Sequence, residues 1–170
     1  MAGRLLREDR WRLEGPATPK TKTRPARAPR DPLEKPPALY LLDANACIRI
    51  LNGSSEKLAA RLRETPRSLV RLSSIVKAEL LYGARRGSQA PANLRLLAGF
   101  FASIACVPFD DACAEEYGVI RNEVERAGTP IGPNDLLIAA TARARDFVLV
   151  THNTREFSRV AGLQIEDWEA

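Results

Sequence analysis

The chain has 170 residues, 45% of them hydrophobic, and a net charge of +5. That length and apolar content suffice for one domain with a real core and exclude a chain disordered throughout. No apolar run is long enough to span a membrane, the first residues lack the apolar centre of a secretory signal, and three cysteines with a single histidine argue against a disulfide framework or a zinc site of His and Cys.

The charge is concentrated at the start. Residues 1–37 carry 10 Lys or Arg against 5 Asp or Glu, which is the whole net charge, together with 7 of the 12 prolines. Such a segment cannot bury enough apolar surface to offset its ordering entropy, so a disordered, basic, Pro-rich arm is expected there. It reads as a leader that the following domain does not use. The alternative is an arm that holds nucleic acid through phosphate contacts. Residues 38–170 are expected to form one domain. Cys47, Cys106 and Cys113 fit no metal spacing and read as free thiols of a cytoplasmic protein.

From Leu39 the chain alternates strand-like and helix-like pieces. Leu39–Leu42 is a short apolar strand that stops at Asp43. A carboxylate there is desolvated on one side and needs a compensating partner; capping the following helix is one solution, a cation another. That helix runs from about Ala44 to Leu51 and ends at Asn52-Gly53. Ser54 or Ser55 caps the next, which stops before Pro66. "SLVRLS" (68–73) is a second strand, and Ser73 or Ser74 caps the helix "IVKAELLYGARR" (75–86). A helix over 91–104 precedes the strand-like "IACVPF" (104–109). Asp110-Asp111 opens a helix closed by Gly128, and Pro133 takes the first position of another. "DFVLVT" (146–151) and "LQIEDW" (163–168) read as further strands. The strands look apolar on both faces, which predicts an α/β fold with a parallel sheet covered by helices on both sides.

In such folds ligands bind beyond the carboxyl ends of the strands. Four polar residues fall there: Asp43 after the first strand, Glu79 on the helix after the second, Asp135 in the first turn of "GPNDLLIAA", and Asn153 after "FVLVT". Singly each has a bland reading: a cap, a solvated helix residue, a dipole partner, a turn residue. Together they make a set of three carboxylates and one neutral oxygen donor. Like charges about 4 Å apart repel by about 4 kcal/mol at an effective dielectric of 20. A hard, oxygen-preferring cation such as Mg²⁺ relieves that repulsion and would equip the site for phosphodiester hydrolysis. His152, beside Asn153, is a structural residue or, as the lesser alternative, a general base.

These stretches resemble the PIN-domain ribonucleases, in particular the VapC toxins of VapBC toxin–antitoxin pairs. The resemblance covers about Ala38 to Ala170. It rests on "LYLLDANACI", "LSSIVKAELLYGA", "GTPIGPNDLLIAATA" and "LVTHNTREFSRVAGLQIEDW", in that order. It implies a Mg²⁺ or Mn²⁺ site at Asp43, Glu79 and Asp135, with Asn153 as the fourth catalytic position. It further implies cleavage of structured RNA (transfer RNA or ribosomal RNA loops), a homodimer, and a cognate VapB-type antitoxin in the active-site groove. Two features depart from the family pattern: Ala44 stands where Thr or Ser is frequent, and residues 1–37 have no counterpart. A haloacid dehalogenase-type phosphatase would want a second acid two residues after Asp43, where this chain has Asn45. A decayed PIN domain that only binds RNA or protein is the other rival, and three intact acids speak against it.

Overall fold

The computed structural model describes residues 37–170. The arm assigned to residues 1–37 therefore lies, Pro37 apart, outside the described residues. The elements follow in the order β1 (Tyr40–Leu42), α1 (Ala44–Asn52), α2 (Glu56–Glu64), a 3₁₀ turn (Arg67–Leu69), β2 (Val70–Ser73), α3 (Ser74–Arg86), α4 (Ala90–Ser103), β3 (Ala105–Val107), α5 (Asp111–Arg126), α6 (Pro133–Ala144), β4 (Val148–Val150), α7 (Thr154–Phe157) and β5 (Ile165–Glu166).

All four strand pairings are parallel, and the sheet order is β3-β2-β1-β4-β5. The chain thus builds outward from β1 in one direction, then returns to its other side with β4. Leu41 and Leu42 are both 0% exposed. Consecutive strand residues point to opposite faces, so helices must cover both. β3 departs from the expected pattern. As an edge strand it leaves Ala105 and Cys106 exposed, because no neighbour covers its outer side.

The helix boundaries have local causes. Asp43, Ser55, Ser73 and Asp110 each accept a hydrogen bond from the backbone N–H three residues on, capping α1, α2, α3 and α5. Gly128, at φ 67°, closes α5, with the Thr129 N–H donating to the Val124 carbonyl at 2.9 Å. Only glycine takes that left-handed conformation without steric cost. Several strands are shorter than expected: β2 starts at Val70 after the 3₁₀ turn, β3 is confined to Ala105–Val107 and β5 to Ile165–Glu166. Asp146 is a turn residue with φ 51°, so β4 starts at Val148 instead. The polar run after β4 contains α7, a single turn too short for apolar periodicity to reveal.

Candidate active site

The strand order reverses between β1 and β4, and at that switch point the carboxyl ends of the two strands meet. Asp43 follows β1 and Thr151 follows β4. The Asp43 backbone N–H donates to the Val150 carbonyl at 3.1 Å, which locks the two strand ends together. Asp43 is 3% exposed. Its Oδ1 accepts the Ala46 N–H at 2.5 Å and its Oδ2 accepts the Thr151 hydroxyl at 2.5 Å. Asp43 therefore caps α1 with one oxygen while Thr151 holds the other. Burial pushes its carboxyl above the ordinary range and the nearby Glu79 charge adds to this, while the bonds from Ala46 and Thr151 pull the other way.

Thr151 is 1% exposed and works in two directions. Besides donating to Asp43, its Oγ1 accepts the Asn153 N–H at 3.0 Å. Asn153 in turn donates from Nδ2 to Glu156 Oε2 at 3.4 Å. Glu156 Oε1 accepts the Gly132 N–H at 3.1 Å, which ties α7 to the start of α6. A Cβ at Gly132 would lie 3.3 Å from Asp135 Oδ2. The lack of a side chain there lets the backbone run close against that carboxylate.

Asp135 occupies the first turn of α6. Its carboxyl is pushed up to about 6, by burial first, then by the charges of Glu156, Glu79 and Asp43. Asp135 thus lies in the field of three other acids, Asp43 at the start of α1, Glu79 on α3 and Glu156 on α7. Glu79 on α3 accepts a hydrogen bond from Asn134 Nδ2 at 2.7 Å. Among the described residues, none of Asp43, Glu79, Asp135 and Glu156 forms an ion pair, although acids elsewhere are paired with arginine. These carboxylates, with no basic partner, are the hard oxygen donors that a divalent cation takes, although the side chains whose ligand atoms already lie within 4.8 Å of one another are His152, Asp167 and Glu169.

Asp43, Glu79, Asp135 and Asn153 are thus brought to one locality. Sequence reasoning missed Glu156, Thr151 and Asn134. Glu156 carries a faint signal, since it lies three residues after Asn153 and a helical turn there would place the two together. His152 turns the other way. Its Nδ1 pairs with Asp167 Oδ2 at 2.9 Å, and Glu169, next to it, pairs with Arg49 Nε at 2.9 Å. Cys47 is fully buried behind Asp43. Burial and the Asp43 charge hold its thiol well above the ordinary range, which disfavours the thiolate. All three cysteines are free. No helix among the described residues is long and apolar enough to cross a membrane.

The PIN domain family model matches residues 40–163. A tRNA(fMet)-specific endonuclease VapC from Shigella flexneri is 39% identical over 129 residues, which are 76% of this chain and 97% of the relative. Ribonuclease VapC2 from Rickettsia felis is 36% identical over 77% of this chain and 98% of its own length. The crystal structure of DNA-bound VapBC from Salmonella typhimurium holds a chain that is similar at 38% identity, with a TM-score of 0.74. The match covers 77% of this chain and 98% of that one.

Proposed function

Since this chain belongs to the PIN-domain family, and within it to the VapC group, we propose that it is a divalent-metal-dependent endoribonuclease toxin that hydrolyses phosphodiester bonds in structured RNA. The observation that carries this reading is the group of four acids with no ion pair among the described residues, where burial first, and then the charges of Glu156, Glu79 and Asp43, lift Asp135 to about 6. A transfer RNA or ribosomal RNA loop is the proposed substrate class. The relatives named for tRNA(fMet) support the first of these.

Asp43 and Asp135 would hold Mg²⁺ or Mn²⁺ directly, with Glu79 holding it or its water, and Glu156 completing the ring of acids. When bound, such a cation supplies a Lewis acid that lowers the pKa of water and offsets the charge building on the phosphate. The rest of the work belongs to the chain. Thr151 and Ala46 fix both oxygens of Asp43, so its orientation needs no reorganisation when substrate arrives. Asn153, held by Thr151 and Glu156, is placed to orient the attacking group without adding charge. No protein nucleophile is required.

The partners follow from the same reading. VapBC complexes are the structural neighbours, which supports a VapB-type antitoxin as the controlling partner. A homodimer and a cytoplasmic location belong to the same proposal. Residues 38–170 would form the nuclease by themselves. Deleting residues 1–37 should then leave folding and cleavage intact. If that arm holds RNA instead, its removal lowers affinity and flattens the salt dependence.

The test is RNA cleavage by the purified full chain with Mg²⁺ or Mn²⁺, with chelator, and with Asp43→Asn. Metal-dependent cleavage lost in the variant supports the proposal. A wild-type protein that binds RNA but never cuts it, at any metal concentration, would point to a decayed domain. Mapping 5′ ends of cellular RNA after brief expression identifies the target.

A further inference from the structure

The acids of the site differ in how they are held. Asp43 receives two donors and Glu156 two. Glu79 receives one, and it is Asn134. Glu79 has no other hydrogen bond and no ion pair among the described residues. It is a long side chain on the sixth residue of α3, with three rotatable bonds and costly to order unless something holds its end.

We propose that Asn134 is a positioning residue for Glu79: its amide fixes one carboxylate oxygen so that the other is presented toward Asp43 and Asp135. The inference rests on the reading of these acids as a divalent-cation site. Three features carry it. Asn134 and Glu79 lie 55 residues apart and meet at 2.7 Å, well within a strong hydrogen bond. Asn134 is the second residue of α6 and Asp135 the third. The bond therefore ties the Glu79 carboxylate to the same helical turn that carries Asp135, placing acids from α3 and α6 in one rigid frame. Finally, the donor is neutral. A Lys or Arg at this position would also hold Glu79, but would neutralise it and compete with a bound cation. An amide orients the carboxylate and leaves its charge available.

A rival role for an exposed amide beside the site is contact with an RNA base. The two separate cleanly, because a positioning residue acts through metal affinity and a base contact acts through KM for RNA.

The test uses the full chain and Mn²⁺ as the probe. Mn²⁺ affinity is measured by titration calorimetry for wild type, Asn134→Leu and Asn134→Gln, alongside KM for RNA. Asn134→Leu keeps nearly the same shape without a donor, whereas Asn134→Gln keeps the donor. Because Asn134 is exposed, the metal-free melting temperature of both variants should stay near wild type. The expected result is about tenfold weaker Mn²⁺ binding in Asn134→Leu, largely restored in Asn134→Gln. Equal Mn²⁺ affinity in wild type and Asn134→Leu would overturn the assignment, as would equal losses in both variants. Unchanged Mn²⁺ affinity with a raised KM would assign Asn134 to the RNA. Wild type that binds no Mn²⁺ would remove the cation site itself, an outcome distinct from a site that binds without help from Asn134.

Discussion

The Thr151 hydroxyl donates to Asp43 Oδ2 at 2.5 Å across 108 residues of sequence, with both side chains buried. This bond joins the ends of β1 and β4 at the point where the sheet changes direction, and it sets one face of the acidic site.

Thr151→Val conserves volume and removes only the hydroxyl. It leaves a buried Asp43 oxygen without its donor and the Asn153 N–H without its acceptor. Urea unfolding should show a loss of about 1–3 kcal/mol. RNA cleavage should fall about 10–100-fold, as for other groups that orient a ligand from behind. Thr151→Ser keeps the hydroxyl and should retain most activity. Wild-type stability in Thr151→Val would show that water replaces the bond at no cost.

Asp135 gives the metal-free protein a particular pH dependence. Its folded pKa is about 6 against roughly 3.9 unfolded. Between those values the folded state binds more protons than the unfolded one. The stability from this group is therefore full below about pH 4 and is lost as the pH rises through about 6. In chelator, Asp135→Asn should melt higher than wild type at pH 7.5, with the gap shrinking toward pH 4. Mn²⁺ should raise the wild-type melting temperature more at pH 7.5 than at pH 5, by up to about 2.7 kcal/mol of stability at 100 times Kd. A gap that is absent or reversed at pH 7.5 would mean that burial and the neighbouring acids do not raise Asp135 in this way.

Glu156 separates structure from chemistry. Glu156→Gln keeps an oxygen to accept the Gly132 N–H, so the link between α7 and α6 should survive. It removes one charge from the ring of acids. The expected outcome is metal-free stability equal to or above wild type, with cleavage reduced by about 10² or more, the scale for losing a group that stabilises the transition state. Glu156→Ala should lose the anchor as well and melt lower. Full activity in Glu156→Gln would confine Glu156 to anchoring.

Attack on phosphorus by a water that a bound cation would activate, with the ribose 3′-oxygen as leaving group, would leave 5′-phosphate and 3′-hydroxyl ends and no cyclic phosphate. His152 is committed to Asp167, so His152→Ala should reduce cleavage only modestly, whereas Asp43→Asn or Asp135→Asn should lose at least about 10²–10³. End-group analysis of cleaved RNA, with and without chelator, reads this directly. Cyclic phosphate ends, or full activity in chelator, would point to attack by the 2′-OH and to a different role for the acids.

The sequence by itself determined what depends on near neighbours along the chain. The glycine stop at Gly128 is legible, and the caps are legible to within a residue (Asp43, Ser54 or Ser55, Ser73 or Ser74, Asp110 or Asp111), because each hydrogen bond closes within a few residues; the structure selects Ser55, Ser73 and Asp110. The parallel α/β class follows from strands apolar on both faces, although edge strand β3 breaks that rule. Asp43, Glu79 and Asp135 are legible only as a set, since singly a cap, a solvated helix residue or a helix-dipole partner accounts for each. Only the tertiary structure decided which strands are neighbours, and with that which side chains meet. The order β3-β2-β1-β4-β5 puts Thr151 on Asp43, Asn134 on Glu79 and the Glu156 charge on Asp135. It also sends His152, between Thr151 and Asn153, to Asp167. Local propensity carries no term for such pairs: a hydrogen bond reaches about 3 Å, and whether residues 55 or 108 positions apart come within that reach is set by how the sheet packs.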